Sequence, residues 1–168
     1  MIKWLELEEE ATWKESISLI YCYIFLDFLW NIIVWLGFKI FEIDFPHRNS
    51  SGTIPILVWS FPLFLLKAVC FEEILFRLPL AILIERRWKL KNILFSAVAL
   101  SVLFGTLHGS FKNILSQGVG GLLYSILFLK CGGWHRHYLK ALTVTIIAHY
   151  IWNVLLVLLL LKNGVVKM

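Results

Sequence analysis

Residues 139–161 read LKALTVTIIAHYIWNVLLVLLLL. As a helix this run rises about 34 Å at ~1.5 Å per residue, enough to cross the roughly 30 Å hydrocarbon core of a bilayer. Lys140 stands at its start. Beyond it, His149 and Asn153 are the only imidazole or amide side chains, and they lie four residues apart in the middle of the run. The rest of the chain follows the same plan. Of 168 residues, 60% are hydrophobic and 16% charged, with a mean hydropathy of +0.80, against about 45–50% apolar and about 25% charged in average soluble domains. A soluble core this apolar leaves too few polar residues to cover its own surface. The composition excludes a soluble enzyme, a disordered protein and a disulfide scaffold, and predicts a single membrane domain over residues 1–168.

The expected fold is all-α: a polytopic transmembrane bundle of about five membrane helices. The spans are read at 17–41, 53–84, 93–107, 119–129 and 139–161. The second is apolar to Phe71 and continues past a bend at Pro79. The third and fourth are short for a crossing. The segment 43–55, IDFPHRNSSGTIP, is a connector rich in turn residues. The loops ERRWKLKN (85–92) and CGGWHRHYLK (131–140) are basic and carry Trp88 and Trp134, rings that suit the headgroup layer. The net charge of +5 therefore reports topology and not a nucleic-acid partner. With five spans, Lys3, Lys14, Arg86, Arg87, Lys89, Lys91, Lys130, Arg136 and Lys140 share a side, which predicts a cytoplasmic N-terminus.

Residues 1–16 form an acidic tail, read either as an interfacial amphipathic helix built on Trp4, Leu5, Leu7 and Trp13 or as a solvated segment. They lack the positive n-region and cleavage site of a secretory signal, so the first apolar segment is expected to remain in the mature chain. Cys22, Cys70 and Cys131 form no CxxC pair and read as small hydrophobes.

Ionisable groups in such helices are costly, so each needs a reason. In FEEILFR, Glu73 and Arg77 are spaced i,i+4 and pair on one helix face. Glu72 is turned about 100° away. One carboxylate is thereby neutralised and the other left available as a general base, and the spacing alone does not say which of the two is the base. In FGTLHG, Phe104 and His108 are i,i+4. In HYIWN, His149 and Asn153 aim two donors at one point, the arrangement of an oxyanion hole. Asp27 and Asn31 are also i,i+4 and read as interhelical glue. Lys67 is expected to pair with Asp27 or a glutamate. Gly105 and Gly109 form a GxxxG, a weak sign of close helix packing. His135 and His137 read as an interfacial basic patch.

Glu72-Glu73-x-x-x-Arg77, Phe104-x-x-x-His108 and His149-x-x-x-Asn153 together resemble the three signature motifs of the CAAX-protease and bacteriocin-processing (CPBP, or Abi) family of intramembrane proteases. The order matches, and the resemblance covers residues 54–161, the expected protease core. It implies an endopeptidase that hydrolyses a membrane-associated or lipidated peptide. Glu72 would be the base, His108 would help hold the water, His149 and Asn153 would bind the oxyanion, and Glu73 and Arg77 would support them. It also implies an integral protein of the plasma (inner) membrane whose partners are a peptide or lipidated protein substrate and the bilayer. Bacteriocin processing, self-immunity and phage defence are further roles found in the family.

No HExxH signature is present, and a glutamate-activated water requires no cofactor. Should zinc be bound, Glu72, His108 and His149 are the candidate ligands. Two other classes remain open from sequence: a membrane scaffold using the same polar cluster for binding, and a small proton-coupled transporter, against which the lack of paired repeats counts.

Overall fold

The computed structural model describes Leu7, 9–41, 61–109 and 111–162. The connector at 43–55, the start of the second span at 53–60, and Trp4 and Leu5 lie outside the described residues. Among those described there are five helices and no strand: α1 (Trp13–Ile40), α2 (Phe61–Glu85), α3 (Leu90–Leu107), α4 (Phe111–Gly133) and α5 (Tyr138–Lys162). The all-α membrane bundle expected from composition is the observed architecture. Four helices are long and apolar enough to cross a membrane; α2 is excluded from that group and carries Lys67, Glu72, Glu73 and Arg77.

The two short spans are corrected. Lys91 and Asn92 are helical, so α3 begins at Leu90. α4 is 23 residues long rather than 119–129. The polar residues Asn113, Ser116 and Gln117, which read as loop, coil into it, partly through a π-helical stretch at Ile114–Gly118. A second π stretch, Leu129–Gly133, is kinked at Cys131 and Gly132, and the φ of 125° at Gly132 suits glycine.

α4 is the central helix: 56% of its apolar window is buried, against 28% for α1, α3 and α5. One core joins Ile20, Tyr23 and Ile24 of α1 to Tyr124, Leu127, Val144, Ala148 and Trp152. The other joins Leu80, Ile84, Ile93 and Ala97 to Phe128, Leu129 and Ala141. Small residues let α3 and α4 approach closely. A Cβ on Gly105 would lie 2.5 Å from the Cα of Ile114, and one on Gly118 would lie 3.0 Å from the Ser101 carbonyl oxygen. Gly109 does not share this seam. It sits in the turn after α3 with a φ of 91° and open space around it, so the GxxxG spacing is half packing and half turn.

Of the segment before α1, the described residues, Leu7 and 9–12, lie against the turn between α4 and α5. The Ala11 amide donates to the Lys130 carbonyl at 3.2 Å, Lys130 Nζ to the Glu9 carbonyl at 3.0 Å, and His135 Nε2 lies 3.0 Å from the Leu7 carbonyl oxygen. Glu10 meets His137 at 2.5 Å and Lys140 at 2.6 Å. Lys140 also donates to the Ala11 carbonyl. Burial alone would raise the Glu10 carboxyl, but its bonds to Lys140 and His137 hold it below the ordinary glutamate range. Thr12 then caps α1 through a capping box with Glu15. The histidines of the 131–140 loop thus clamp the segment that leads into α1.

Candidate active site

Glu73 lies at the middle of α2 and His149 near the middle of α5. Counting back at about 1.5 Å per residue, each lies roughly 17–18 Å along its helix from the end on the α2–α3 turn side. The Glu73–Arg77 pair expected from the spacing is present and bidentate. Arg77 donates from Nε to Glu73 Oε2 at 2.9 Å and from Nη2 to Oε1 at 3.2 Å. Its remaining Nη1 donates to Ser125 Oγ of α4 at 2.8 Å, and that hydroxyl donates to the Gly121 carbonyl at 2.9 Å. The two charges are 4% and 2% exposed, so only this complete set of partners makes their burial tolerable.

Glu73 Oε1 also lies 2.9 Å from His149 Nδ1. A carboxylate only accepts, so His149 carries a proton on Nδ1. Its other nitrogen, Nε2, faces Glu72 Oε2 at 3.7 Å. That separation exceeds a hydrogen bond but is a close electrostatic contact. Glu72 is 31% exposed on its side chain. The two adjacent glutamates are therefore unlike: Glu73 accepts three bonds, and Glu72 makes none among the described residues and opens to the outside of the cluster.

His108 caps the C-terminus of α3 and is exposed. Its Nδ1 bonds the Phe104 carbonyl one turn back at 2.8 Å. That carbonyl only accepts, so Nδ1 is the protonated nitrogen and Nε2 is an acceptor. The Phe104 ring contacts His108 at 4.6 Å and His149 at 6.2 Å between centroids, and Phe76 at 5.0 Å, each edge-on. Phe104 thus packs edge-on against both histidines, His149 inside the bundle and His108 at the exposed end of α3. Asn153 lies one turn beyond His149, half-buried, and its amide makes no hydrogen bond to a described residue.

Two residues of the cluster escaped the sequence reading, and a third, Asp27, has a partner it did not show. Ser125 closes the arginine, and nothing in the sequence points to it. Tyr124 stacks on His149, ring centroids 5.2 Å apart and planes 18° apart. Asp27, read as glue to Asn31, does accept from Asn31 Nδ2 at 3.0 Å, but it also receives the Tyr124 hydroxyl at 3.4 Å. Asp27 is 2% exposed, and a Cβ on Gly120 would lie 3.0 Å from its carboxylate. The expected Lys67 ion pair does not form with any described residue; Asp27 is met by neutral donors instead, and Lys67 is exposed. The three candidate zinc ligands, Glu72, His108 and His149, do not gather as a metal-holding group, and no other trio of His, Cys, Asp or Glu does so among the described residues.

Compared with known protein families, residues 54–155 match the model described as type II CAAX prenyl endopeptidase Rce1-like. The chain belongs to this family. The Rce1-like match spans all three motifs and most of the bundle, while α1, with Asp27, lies outside it. Neither the comparison with curated proteins nor that with solved structures gives a match. Membership in a protease family and four apolar helices of membrane-crossing length make the chain an integral membrane protein of the CAAX peptidase type.

Proposed function

We propose that the chain is a glutamate-dependent intramembrane endopeptidase in which Glu72 is the base. The observation that carries this reading is the unlike pair of adjacent carboxylates around one imidazole: Glu73 saturated by Arg77 and His149, Glu72 unbonded and 3.7 Å from the opposite nitrogen of the same ring. A base needs a free lone pair aimed at solvent, and Glu72 has one. It takes a proton from a water; the resulting hydroxide adds to the scissile carbonyl carbon. The oxyanion that forms is met by His149 Nε2–H and the Asn153 amide, donors one helical turn apart. The proton on Glu72 passes to the amide nitrogen, the C–N bond breaks, and the carboxylic acid that forms gives its proton through Glu72 to the departing amine, so a carboxylate and an ammonium leave with Glu72 ionised again. His108, with Nδ1 committed to Phe104, offers Nε2 as acceptor to the same water. Buried Glu73 stabilises the imidazolium that oxyanion binding requires, much as a buried carboxylate supports a catalytic histidine in hydrolases.

The substrate is a membrane-associated or lipidated peptide, cleaved at the cytoplasmic face of the plasma membrane with the N-terminus of the enzyme on that face. The excess of Lys and Arg in the 85–92 and 131–140 loops supports that orientation. No metal is required in this scheme. The test is hydrolysis of a prenylated peptide by the purified chain in lipid nanodiscs. Glu72→Gln abolishes cleavage with unchanged folding, and Asn153→Ala lowers kcat by about 10²–10³ with KM little altered. Full activity in Glu72→Gln, or stoichiometric zinc whose removal stops cleavage, would sink the reading.

A further inference from the structure

Toward the α2–α3 turn, α2 and α3 leave an open groove of about 440 Å³, lined mainly by Pro79, Ile82, Leu83, Phe95, Ala99 and Leu103. Ser96 is its one hydroxyl. From Phe95 to Leu103 the groove runs about 12 Å along the helix axis at ~1.5 Å per residue. A peptide laid there would leave its backbone N–H and C=O groups unsatisfied in hydrocarbon, whereas an alkyl chain loses nothing.

Both walls end in positive charge on the groove face. On α2 the lining residues Ile82 and Leu83 are followed at i+4 and i+3, respectively, by Arg86, which is still held helically by its amide bond to the Ile82 carbonyl at 3.0 Å. On α3, Lys91 precedes Phe95 by four residues, which places it on the same face one turn nearer the surface. The turn between them is tight. Arg87 adopts a φ of 55°, and the Trp88 amide donates to the Leu83 carbonyl at 3.1 Å, so Arg87, Trp88 and Lys89 form the short connection at the end of both walls. Arg86, Arg87, Lys89 and Lys91 are all exposed, and none has an ion pair with a described residue. The one carboxylate beside them, Glu85, already accepts from the Tyr138 hydroxyl at 2.8 Å and faces Arg136 at 4.0 Å. Trp88 is 45% exposed, at the level where an indole suits lipid headgroups.

We propose that this groove and its basic turn form a binding site for an anionic glycerophospholipid, with one acyl chain along Phe95, Ala99 and Leu103 and the phosphate between Arg86 and Lys91. Hydrocarbon complementarity places the chain, and four cations without carboxylate partners among the described residues select the headgroup. The site shares no residue with the catalytic cluster and does not depend on the peptidase reading.

The full chain is reconstituted in phosphatidylcholine nanodiscs containing trace spin-labelled phosphatidylglycerol or phosphatidylcholine, and the motionally restricted fraction of each label is measured by electron spin resonance. The expected result is a several-fold preference for phosphatidylglycerol that weakens with salt. Each of Arg86→Gln and Lys91→Gln reduces the preference, by up to about fivefold. Lys162→Gln, at the far end of α5, leaves it intact. Ala99→Phe fills the groove and lowers the restricted fraction of both labels. Equal association of the two lipids with the unaltered chain would overturn the proposal without any variant being made. It also fails if Arg86→Gln/Lys91→Gln keeps the preference, or if a neutral isoprenoid alcohol displaces the label as well as phosphatidylglycerol does; the groove would then be a slot that reads no headgroup.

Discussion

Replacing Glu73 by glutamine removes one charge from a cluster that is otherwise complete. The wild-type carboxylate accepts from Arg77 at 2.9 and 3.2 Å and from His149 at 2.9 Å, in a position 2% exposed. Glutamine has nearly the same volume, but its amide nitrogen must face either the guanidinium or the His149 N–H, donor against donor. Arg77 then keeps the one amide oxygen or loses it to the His149 contact, and beyond that has only Ser125, with no negative charge facing its guanidinium. Breaking a buried ion pair by removing one partner costs about 3–5 kcal/mol. For a chain of this size that is a fall in Tm of roughly 6–20 °C. Glu72→Gln is the matched control: its side chain is 31% exposed and reaches His149 only at 3.7 Å, so its cost is that of an exposed pair, about 0–1 kcal/mol. Thermal unfolding of both variants in the same detergent, followed by intrinsic tryptophan fluorescence, separates them. Adding Arg77→Gln to Glu73→Gln recovers part of the loss, because the uncompensated charge is gone. The assignment of the two glutamates is refuted if Glu73→Gln melts with the wild type, or if Glu72→Gln is the variant that collapses.

Two further outcomes are expected. Tyr124→Phe keeps the ring over His149 and retains most activity, whereas Tyr124→Leu removes the stack, worth about 0.5–1.5 kcal/mol beyond burial, and shifts the pH profile of kcat; a merely structural tyrosine would lower yield without moving that profile. At the entrance to α1, Glu10 is held below the ordinary glutamate range, so its bonds to Lys140 and His137 stabilise the fold fully above that range and are lost as pH falls through the lowered value. Amide exchange over residues 9–12 should therefore accelerate on acidification below about pH 4.5, and Glu10→Gln should exchange fast at every pH.

What the sequence made legible was everything carried by spacing within one helix. Glu73 and Arg77 meet because i and i+4 share a face, and His108 and Phe104 meet for the same reason. What it hid were contacts between helices far apart in the chain. Ser125 and Tyr124 belong to a glycine-led apolar run with no local mark of function, and their roles come from the close approach that Gly120 and Gly121 allow. Asp27 was visible as a costly intramembrane carboxylate, but its partner across the bundle, Tyr124, was not. The ends of α3 and α4 were misread because Lys91, Asn92, Ser116 and Gln117 resemble loop by polarity. In a membrane bundle they extend the helices toward the interface, where polar side chains are tolerated. The docking of residues 9–12 rests partly on backbone carbonyls, which leave no trace in residue identity, and partly on Glu10, whose partners His137 and Lys140 lie far along the chain.

The Glu73–Arg77 pair is closed within α2, by residues four apart. That helix can therefore enter a bilayer with its charges already mutually neutralised, before any later segment exists. His149 arrives with α5, the most C-terminal described helix, and only then does Glu72 gain an imidazole to face. During synthesis, the chain thus carries a balanced but incomplete cluster until its last described helix has inserted. A hydrolase assembled in this order has no working centre while its nascent neighbours are still passing through the same translocation machinery.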